Sequence, residues 1–367
     1  MKKLRFLTLI LTMLFVFVGC SNEAFSMENT LSNSSALGTT TSSTKKLSNL
    51  KVHYIDVGQG DSQLLQTNGI NILIDTGEAD QSENLIAYLE SQGVQTIDYL
   101  FLTHPHTDHM GAATAVMEHF PVKQVYLTNR THTTVAYRKL IETIQKKKIK
   151  RVQAKAGVSI NFTKNLHGTI LAPSKNYDDI NASSIVMKIT YGTTSFLFNG
   201  DATVETESDI LNAGYDVSAT VYKVAHHGSS SSNSAKFLQA VNPSLCIIQL
   251  GKNNSYGHPH KEIKERLKKL GVPVYRTDED GTIVVTSNGK KLSVKTKKTN
   301  NVTIPTSPST TTPNTGNAKT TYIGNKNSKV FHLPTCSSLP NKKNQVTFAS
   351  RSAAIKSGYH ACSRCNP

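Results

Sequence analysis

The chain predicts an α+β protein: two mixed β-sheets covered by helices, then a small C-terminal module of different character. Two observations carry this. Strand-like and helix-like patterns alternate from Leu50 to Val294 with several tight turns, a mixture that suits paired sheets with helices outside them. A Thr/Pro/Asn/Ser-rich stretch, residues 297–321, then sets apart a last segment, 322–367. That segment is close to the size at which a chain needs a metal or a disulfide to hold its fold.

The elements follow in order. Residues 51–57, 62–66 and 71–75 read as short strands joined at Gly58, Gly60 and Gly69. Residues 82–92 carry Leu85, Ile86 and Leu89 at helical spacing, and 97–103 is a near-continuous apolar strand. A strand at 124–128, a helix at 135–148 and a strand at 168–172 come next. Residues 184–190 and 194–199 form a strand pair turning at Tyr191-Gly192. Residues 221–225 and 246–250 are buried strands, 261–270 a helix, and 274–294 a closing hairpin.

The first residues read as an export signal, with Lys2, Lys3 and Arg5 ahead of an apolar stretch from Phe6 to Val18 and the small-residue junction Gly19-Cys20. About thirteen apolar residues are too few to span a bilayer, which takes about 20. The placement of Cys20 resembles a bacterial lipobox, with Phe17 where leucine is usual, and implies lipidation of its thiol. The alternative is an ordinary secretory peptide with an incidental cysteine. Residues 21–46, rich in Ser, Thr and Asn, form a flexible tether. The first folded domain spans 47–296. The expected location is the outer face of the cytoplasmic membrane, or the exterior.

The net charge of +16 is unevenly spread. Leu47 to Thr296 carries 26 Lys and Arg against 23 Asp and Glu, whereas Lys297 to Pro367 carries 10 Lys and Arg and no acid. Such a tail attracts DNA or another anionic polymer, or anionic lipid headgroups. A generic solubilising tail is the plainer explanation.

The chemistry concentrates in His104-Pro-His106-Thr-Asp108-His109, directly after an apolar strand. Neutral imidazoles and a carboxylate at this density suit Zn²⁺ or Mn²⁺. Further candidates stand at later strand ends. Asp201 follows Phe196–Gly200 and is suited to bridge two cations, His226 and His227 follow a buried strand, and His258 lies on a Gly/Pro loop. Asp75, in Leu73-Ile74-Asp75-Thr76-Gly77, either fixes an imidazole tautomer or caps its turn.

With Asp56-Val57-Gly58-Gln59-Gly60-Asp61-Ser62 and Tyr256-Gly257-His258-Pro259, these segments make residues 50–294 resemble the metallo-β-lactamase-type hydrolase domain of the ComEC competence-protein family. The resemblance implies an αββα sandwich with two Zn²⁺ or Mn²⁺ at the rim. His104 and His106 would hold the first metal, Asp108, His109 and His227 the second, and Asp201 would bridge them. His226 would contact the substrate phosphoryl group or simply pack beside a ligand, His258 would be a transition-state donor or acid, and Asp108 would also serve catalysis. A further histidine common in the wider superfamily has only His119, His132 and His167 as candidates here, none at a strand end.

In the last segment, His332-x₃-Cys336 and Cys362-x₂-Cys365 have the spacing of a tetrahedral Zn²⁺ site. The segment resembles the Ada-type zinc-binding domain, with His332 in place of one cysteine. A disulfide is the competing expectation outside the cell. Cys246, in an apolar strand, reads as a buried free thiol, and three cysteines with one histidine suit a single structural Zn²⁺ better than paired bridges.

The expected function is an exported binuclear phosphodiesterase in which a metal-activated water attacks DNA or another polyanion. A phosphorylcholine-esterase-like hydrolase of teichoic acid and a non-catalytic surface binder are the alternatives. No P-loop or Gly-x-Ser-x-Gly elbow is present, so neither a nucleotide cofactor nor a serine nucleophile is expected.

Overall fold

The structure, a computed structural model, describes residues 47–299, 302–304, 321–334, 336–349, 351–362 and 365. The signal segment, Cys20, the tether and most of the linker lie outside the described residues.

The first half runs β1 (Leu50–Tyr54), β2 (Gln63–Thr67), β3 (Ile70–Ile74), α1 (Ser82–Ser91), β4 (Tyr99–Phe101), α2 (Thr107–Met110), α3 (Ala113–His119), β5 (Gln124–Leu127), α4 (Val135–Lys146) and β6 (Lys150–Gln153). Then come β7 (Ser159–Asn161), β8 (Leu166–Ala172), β9 (Val186–Tyr191), β10 (Thr194–Phe198), α5 (Val204–Asn212), β11 (Val221–Lys223), α6 (Ala235–Val241) and β12 (Leu245–Ile248). The domain closes with α7 (Lys261–Leu270), β13 (Val274–Arg276), α8 (Thr277–Asp280), β14 (Ile283–Ser287), β15 (Leu292–Lys295) and β16 (Val302–Ile304).

One sheet has the order β16-β15-β14-β1-β2-β3-β4-β5-β6 and the other β13-β12-β11-β10-β9-β8-β7. Strand alternation builds three apolar layers. Ile72, Ile74, Phe196, Phe198 and Ile247 point between the sheets. Leu73 and Leu100, one residue out of phase, meet Leu85, Val116 and Leu140 of α1, α3 and α4. On the far side, Leu197, Cys246 and Ile248 meet Ile210, Phe237 and Ile263 of α5, α6 and α7. The layering is therefore αββα.

Each sheet has a parallel stretch, β3-β4-β5-β6 in one and β10-β11-β12-β13 in the other. The segments after β4, β10, β11 and β12 leave the carboxyl ends of these strands, where open α/β sheets place ligands. Capping helps fix the helices: Thr134 Oγ1 accepts from Tyr137 N–H at the start of α4, and Ser234 Oγ from Phe237 N–H at the start of α6.

The expected hairpin over 274–294 is corrected. β13 pairs in parallel with β12 in the second sheet, whereas β14 and β15 form a hairpin beside β1 in the first. The short α8 and Gly281, at φ 67°, carry the chain from one sheet to the other. The expectations also lack α3, α5 and α6, which are only seven to nine residues long.

The C-terminal module contains β17 (Tyr322–Asn325), β18 (Val330–His332), β19 (Gln345–Phe348), α9 (Arg351–Lys356) and β20 (His360–Ala361), with sheet order β19-β17-β18-β20. Its core consists of Phe331, Phe348, Ala354 and Tyr359.

Candidate functional site

The site begins where β3 and β4 end. Asp75, fully buried and at φ 55°, accepts from Thr103 N–H and Thr103 Oγ1, both at 2.7 Å. Its Oδ2 also lies 2.8 Å from His109 Nδ1. A proton on that nitrogen leaves the lone pair of His109 Nε2 facing Asp201 Oδ1 at 3.1 Å and Asp108 Oδ2 at 3.7 Å. Asp75 thus fixes both the strand end and one imidazole.

Asp201 arrives from β10 through Gly200, at φ 49°. A Cβ there would stand 2.7 Å from Thr103 Oγ1, so only glycine lets the two strand ends approach. Asp201 N–H donates to Ser184 Oγ at 3.1 Å, and that hydroxyl lies 3.3 Å from His104 Nδ1. His104 Nε2 sits 3.1 Å from His106 Nδ1 and 3.8 Å from Asp201 Oδ2.

His226 and His227 leave β11 in the left-handed conformation, both at φ 52°. Such backbone costs an L-residue on the order of 1–2 kcal/mol and persists where neighbours over-determine it. Here Asn233 Oδ1 accepts from Ala225 N–H, its Nδ2 donates to Ala225 O, and His226 N–H donates to Gly200 O. His227 Nδ1, at 2.8 Å from the Gln249 carbonyl, donates to it, which turns Nε2 toward Asp108 Oδ2 at 3.3 Å and Asp201 Oδ1 at 3.7 Å. His226 Nε2 is 3.5 Å from Asp201 Oδ2. The His258 ring lies 5.7 Å from that of His226 and 6.2 Å from that of His227.

Asp108, His109, Asp201 and His227 each offer a donor atom within 4.8 Å of the others. His104 and His106 form a second donor pair beside Asp201. The pocket fits cations. His109 Nε2 and Asp201 Oδ1 are buried and face each other at 3.1 Å, and among the described residues neither has another hydrogen-bond partner. Burial opposes a charge on His109, yet Asp201, Asp108 and Asp75 hold its pKa well above the usual imidazole value. Burial likewise favours a neutral Asp201, but His109, His227 and His226 hold it well below the carboxylate range. A site this electronegative calls for positive charge, carried by a proton on His109 or by a cation that takes its place on the imidazole lone pair. Of the three further histidines, His132 lies beside His106, with ring centres 6.2 Å apart. His119 pairs with Glu90 and His167 with Asn161, both on the surface.

Three supporting residues were not singled out from the sequence. Lys223, buried in β11, pairs with Asp61 Oδ2 at 2.5 Å, and Asp61 Oδ1 lies 3.4 Å from His227 Nδ1. Gln249 Nε2 donates to the carbonyls of Ile55 and Ser62, tying the 56–62 loop to the strand end behind His227. A lysine within Val-Tyr-Lys-Val-Ala, ahead of two histidines, was the available signal.

In the C-terminal module, His332, Cys336, Cys362 and Cys365 bring their ligand atoms within 4.8 Å of one another. Cys336 and Cys365 carry free thiols. A hydrogen bond from Ser338 pulls the Cys336 thiol down to about 6, while burial pushes Cys365 up to about 11. One low thiol among four converging donors fits a tetrahedral Zn²⁺ site. Cys246 is a buried free thiol, pushed up to about 12 by burial.

Residues 55–248 match the Metallo-beta-lactamase superfamily. The chain belongs to that superfamily. Residues 310–367 match the Metal binding domain of Ada. The superfamily fold with these donors makes the protein a metal-dependent hydrolase, related to competence proteins. It is 31% identical to ComE operon protein 3 of Bacillus subtilis over 64% of this chain and 32% of that protein. It is 30% identical to Competence protein ComA of Neisseria gonorrhoeae over 62% of this chain and 31% of that one. The chain therefore spans about a third of the length of these relatives. The metallo-β-lactamase fold protein YhfI of Bacillus subtilis aligns with a TM-score of 0.44 at 15% identity, over 64% of this chain and 98% of that one. Among the described residues, no helix is long and apolar enough to cross a membrane.

Proposed function

We propose that the protein is a binuclear phosphodiesterase that cleaves DNA or another anionic polymer outside the cell, held at the membrane surface by a lipid on Cys20. The observation that carries this is the sharing of Asp201 between two donor groups, His104 with His106 and Asp108 with His109 and His227. Two divalent cations there would acidify a bound water and offset charge on both the attacking and leaving oxygens of an in-line displacement.

The chain's own residues supply the rest. His226 and His258 flank Asp201 on the accessible side. Burial lowers both, His258 to about 4, so each is a neutral imidazole at pH 7. A neutral ring donates a hydrogen bond to a phosphoryl oxygen without carrying charge, which assigns these two to transition-state stabilisation. Ser231 Oγ, 3.0 Å from His226 Nδ1, can satisfy that nitrogen and leave Nε2–H for substrate. Gly60 lets the 56–62 loop pack directly against the Asp108 carbonyl, where any Cβ would collide. A relative named as a competence protein supports a nucleic-acid substrate, and the acid-free basic tail supports a polyanion.

The test is hydrolysis of bis(p-nitrophenyl) phosphate and labelled DNA by metal-replete protein, with Asp201→Asn as the control. Metal-dependent cleavage that Asp201→Asn abolishes is expected. A folded, metal-loaded protein inert on every phosphodiester would overturn the proposal.

A further inference from the structure

The loop after β12 carries an aromatic ring that neither donor group uses. Tyr256 is 64% exposed, although the backbone beneath it is firmly tied. Asn254 Oδ1 accepts from His258 N–H at 2.9 Å, and its Nδ2 donates to His258 O and Gly251 O. His260 Nδ1 accepts from Ser230 N–H at 2.9 Å, so its Nε2–H points to the Tyr256 carbonyl at 3.3 Å. The loop is therefore built to hold the ring out in solvent.

The ring is also oriented. Tyr256 lies nearly parallel to His258, at 18° with centres 5.6 Å apart, and His258 lies nearly parallel to His227, at 27° and 6.2 Å. Three planar groups thus step from the metal-binding donors outward, and the last presents an open face. A flat ligand group next to a phosphate is what that face can continue. Nucleobases meet this description, and base stacking on an exposed tyrosine is tolerant of sequence. Bases inside a duplex are already stacked, which restricts the ligand to single strands or unpaired ends. A quaternary ammonium such as choline calls for a cage of several aromatic faces, whereas His258 and Tyr256 offer one.

We propose that Tyr256 is the stacking platform for an unpaired nucleobase flanking the phosphodiester at the metal centre, which makes single-stranded nucleic acid the preferred substrate. This rests on the phosphodiesterase function above, so its test has one arm that needs no turnover. The chain has no tryptophan, and Tyr256→Trp in the full-length, metal-replete protein therefore places one fluorophore at the platform. An oligothymidylate is expected to quench that fluorescence, and an abasic oligomer of the same length is not. In the second arm, wild-type protein is expected to favour the oligothymidylate over the abasic oligomer by about tenfold in kcat/KM. Tyr256→Ala should collapse that ratio toward one through KM, and Tyr256→Phe should keep it. Equal quenching by the two oligomers, or a ratio unchanged in Tyr256→Ala, overturns the platform. So does a loss in Tyr256→Ala confined to p-nitrophenylphosphorylcholine. Base-dependent quenching in a protein that cleaves no phosphodiester would defeat the proposed function and leave the platform standing.

Discussion

In the hydrolase domain the metal-binding donors rest on three apolar layers, and protein groups aim the imidazoles. Asp75 positions His109, the Gln249 carbonyl positions His227, and the hydroxyl of Ser184 lies against His104. In the C-terminal module, four ligands converge over a small described core of Phe331, Phe348, Ala354 and Tyr359, with Tyr322 and Val346 packed against it. Among the described residues, Ser338 Oγ lies beside Cys336 Sγ and Cys362 Sγ, and the Leu333 N–H donates to Cys365 Sγ at 3.4 Å. The first site is shaped before a metal arrives. The second rests on a far smaller core and is expected to need its metal to stay folded. The difference follows from how much apolar surface each region buries, and it separates a site that does chemistry from one that holds structure.

The largest effect that can break this contrast is chelation. Structural Zn²⁺ contributes about 10–16 kcal/mol to small modules, so metal removal should unfold residues 322–367 and leave the thermal transition of the hydrolase domain in place. Amide hydrogen exchange resolved by segment reads this. Simultaneous loss of protection in both regions would erase the distinction.

Removing a buried charge partner should do the reverse. Asp61→Asn strands Lys223 in β11, where both groups are about 1% exposed, and breaking such a pair costs about 3–5 kcal/mol. Denaturant unfolding should show that loss in the hydrolase domain alone.

Acid should act on the hydrolase domain through a buried imidazole. His53 is buried with Nδ1 2.8 Å from Tyr88 Oη, and burial lowers its pKa from 6.5 to about 4. The unfolded chain therefore takes up the proton first. The stability contributed by neutral His53 is complete above about pH 6.5 and declines as pH falls toward 4, by about 3 kcal/mol in all. His53→Gln should flatten that slope in urea titrations across the window.

The smallest of these effects tests whether the active site is truly shaped in advance. Asp75→Asn keeps the shape of the side chain but weakens its grip on His109, and such changes cost about 10- to 100-fold in metal affinity or activity. Competition with a chromogenic chelator should show the loss with the melting temperature little changed.

Local clustering made much of this legible in the sequence. His104, His106, Asp108 and His109 fall between one strand end and the first turn of α2, and the cysteine pairs announce themselves by spacing. The two helix-covered sheets likewise follow from the alternation of strand and helix patterns, whereas the αββα layering is what the family resemblance implies. What depends on distant partners is not legible. Lys223 falls in a strand that reads as buried, and only the distant Asp61 explains how a lysine is accommodated there. The left-handed backbone of His226 and His227 is dictated by Asn233 and Gly200, and nothing in a His-His pair marks it. β13 looks continuous with the hairpin after it because local pattern does not say which sheet a strand joins.

Metal content tests the central claim most directly. Full-length wild-type protein should hold three equivalents of divalent metal by elemental analysis, and folded Asp201→Ala should keep only the one bound by His332, Cys336, Cys362 and Cys365. An Asp201→Ala protein that retains all three equivalents, or a folded wild type with none in residues 47–296, would contradict a dinuclear centre assembled around Asp201.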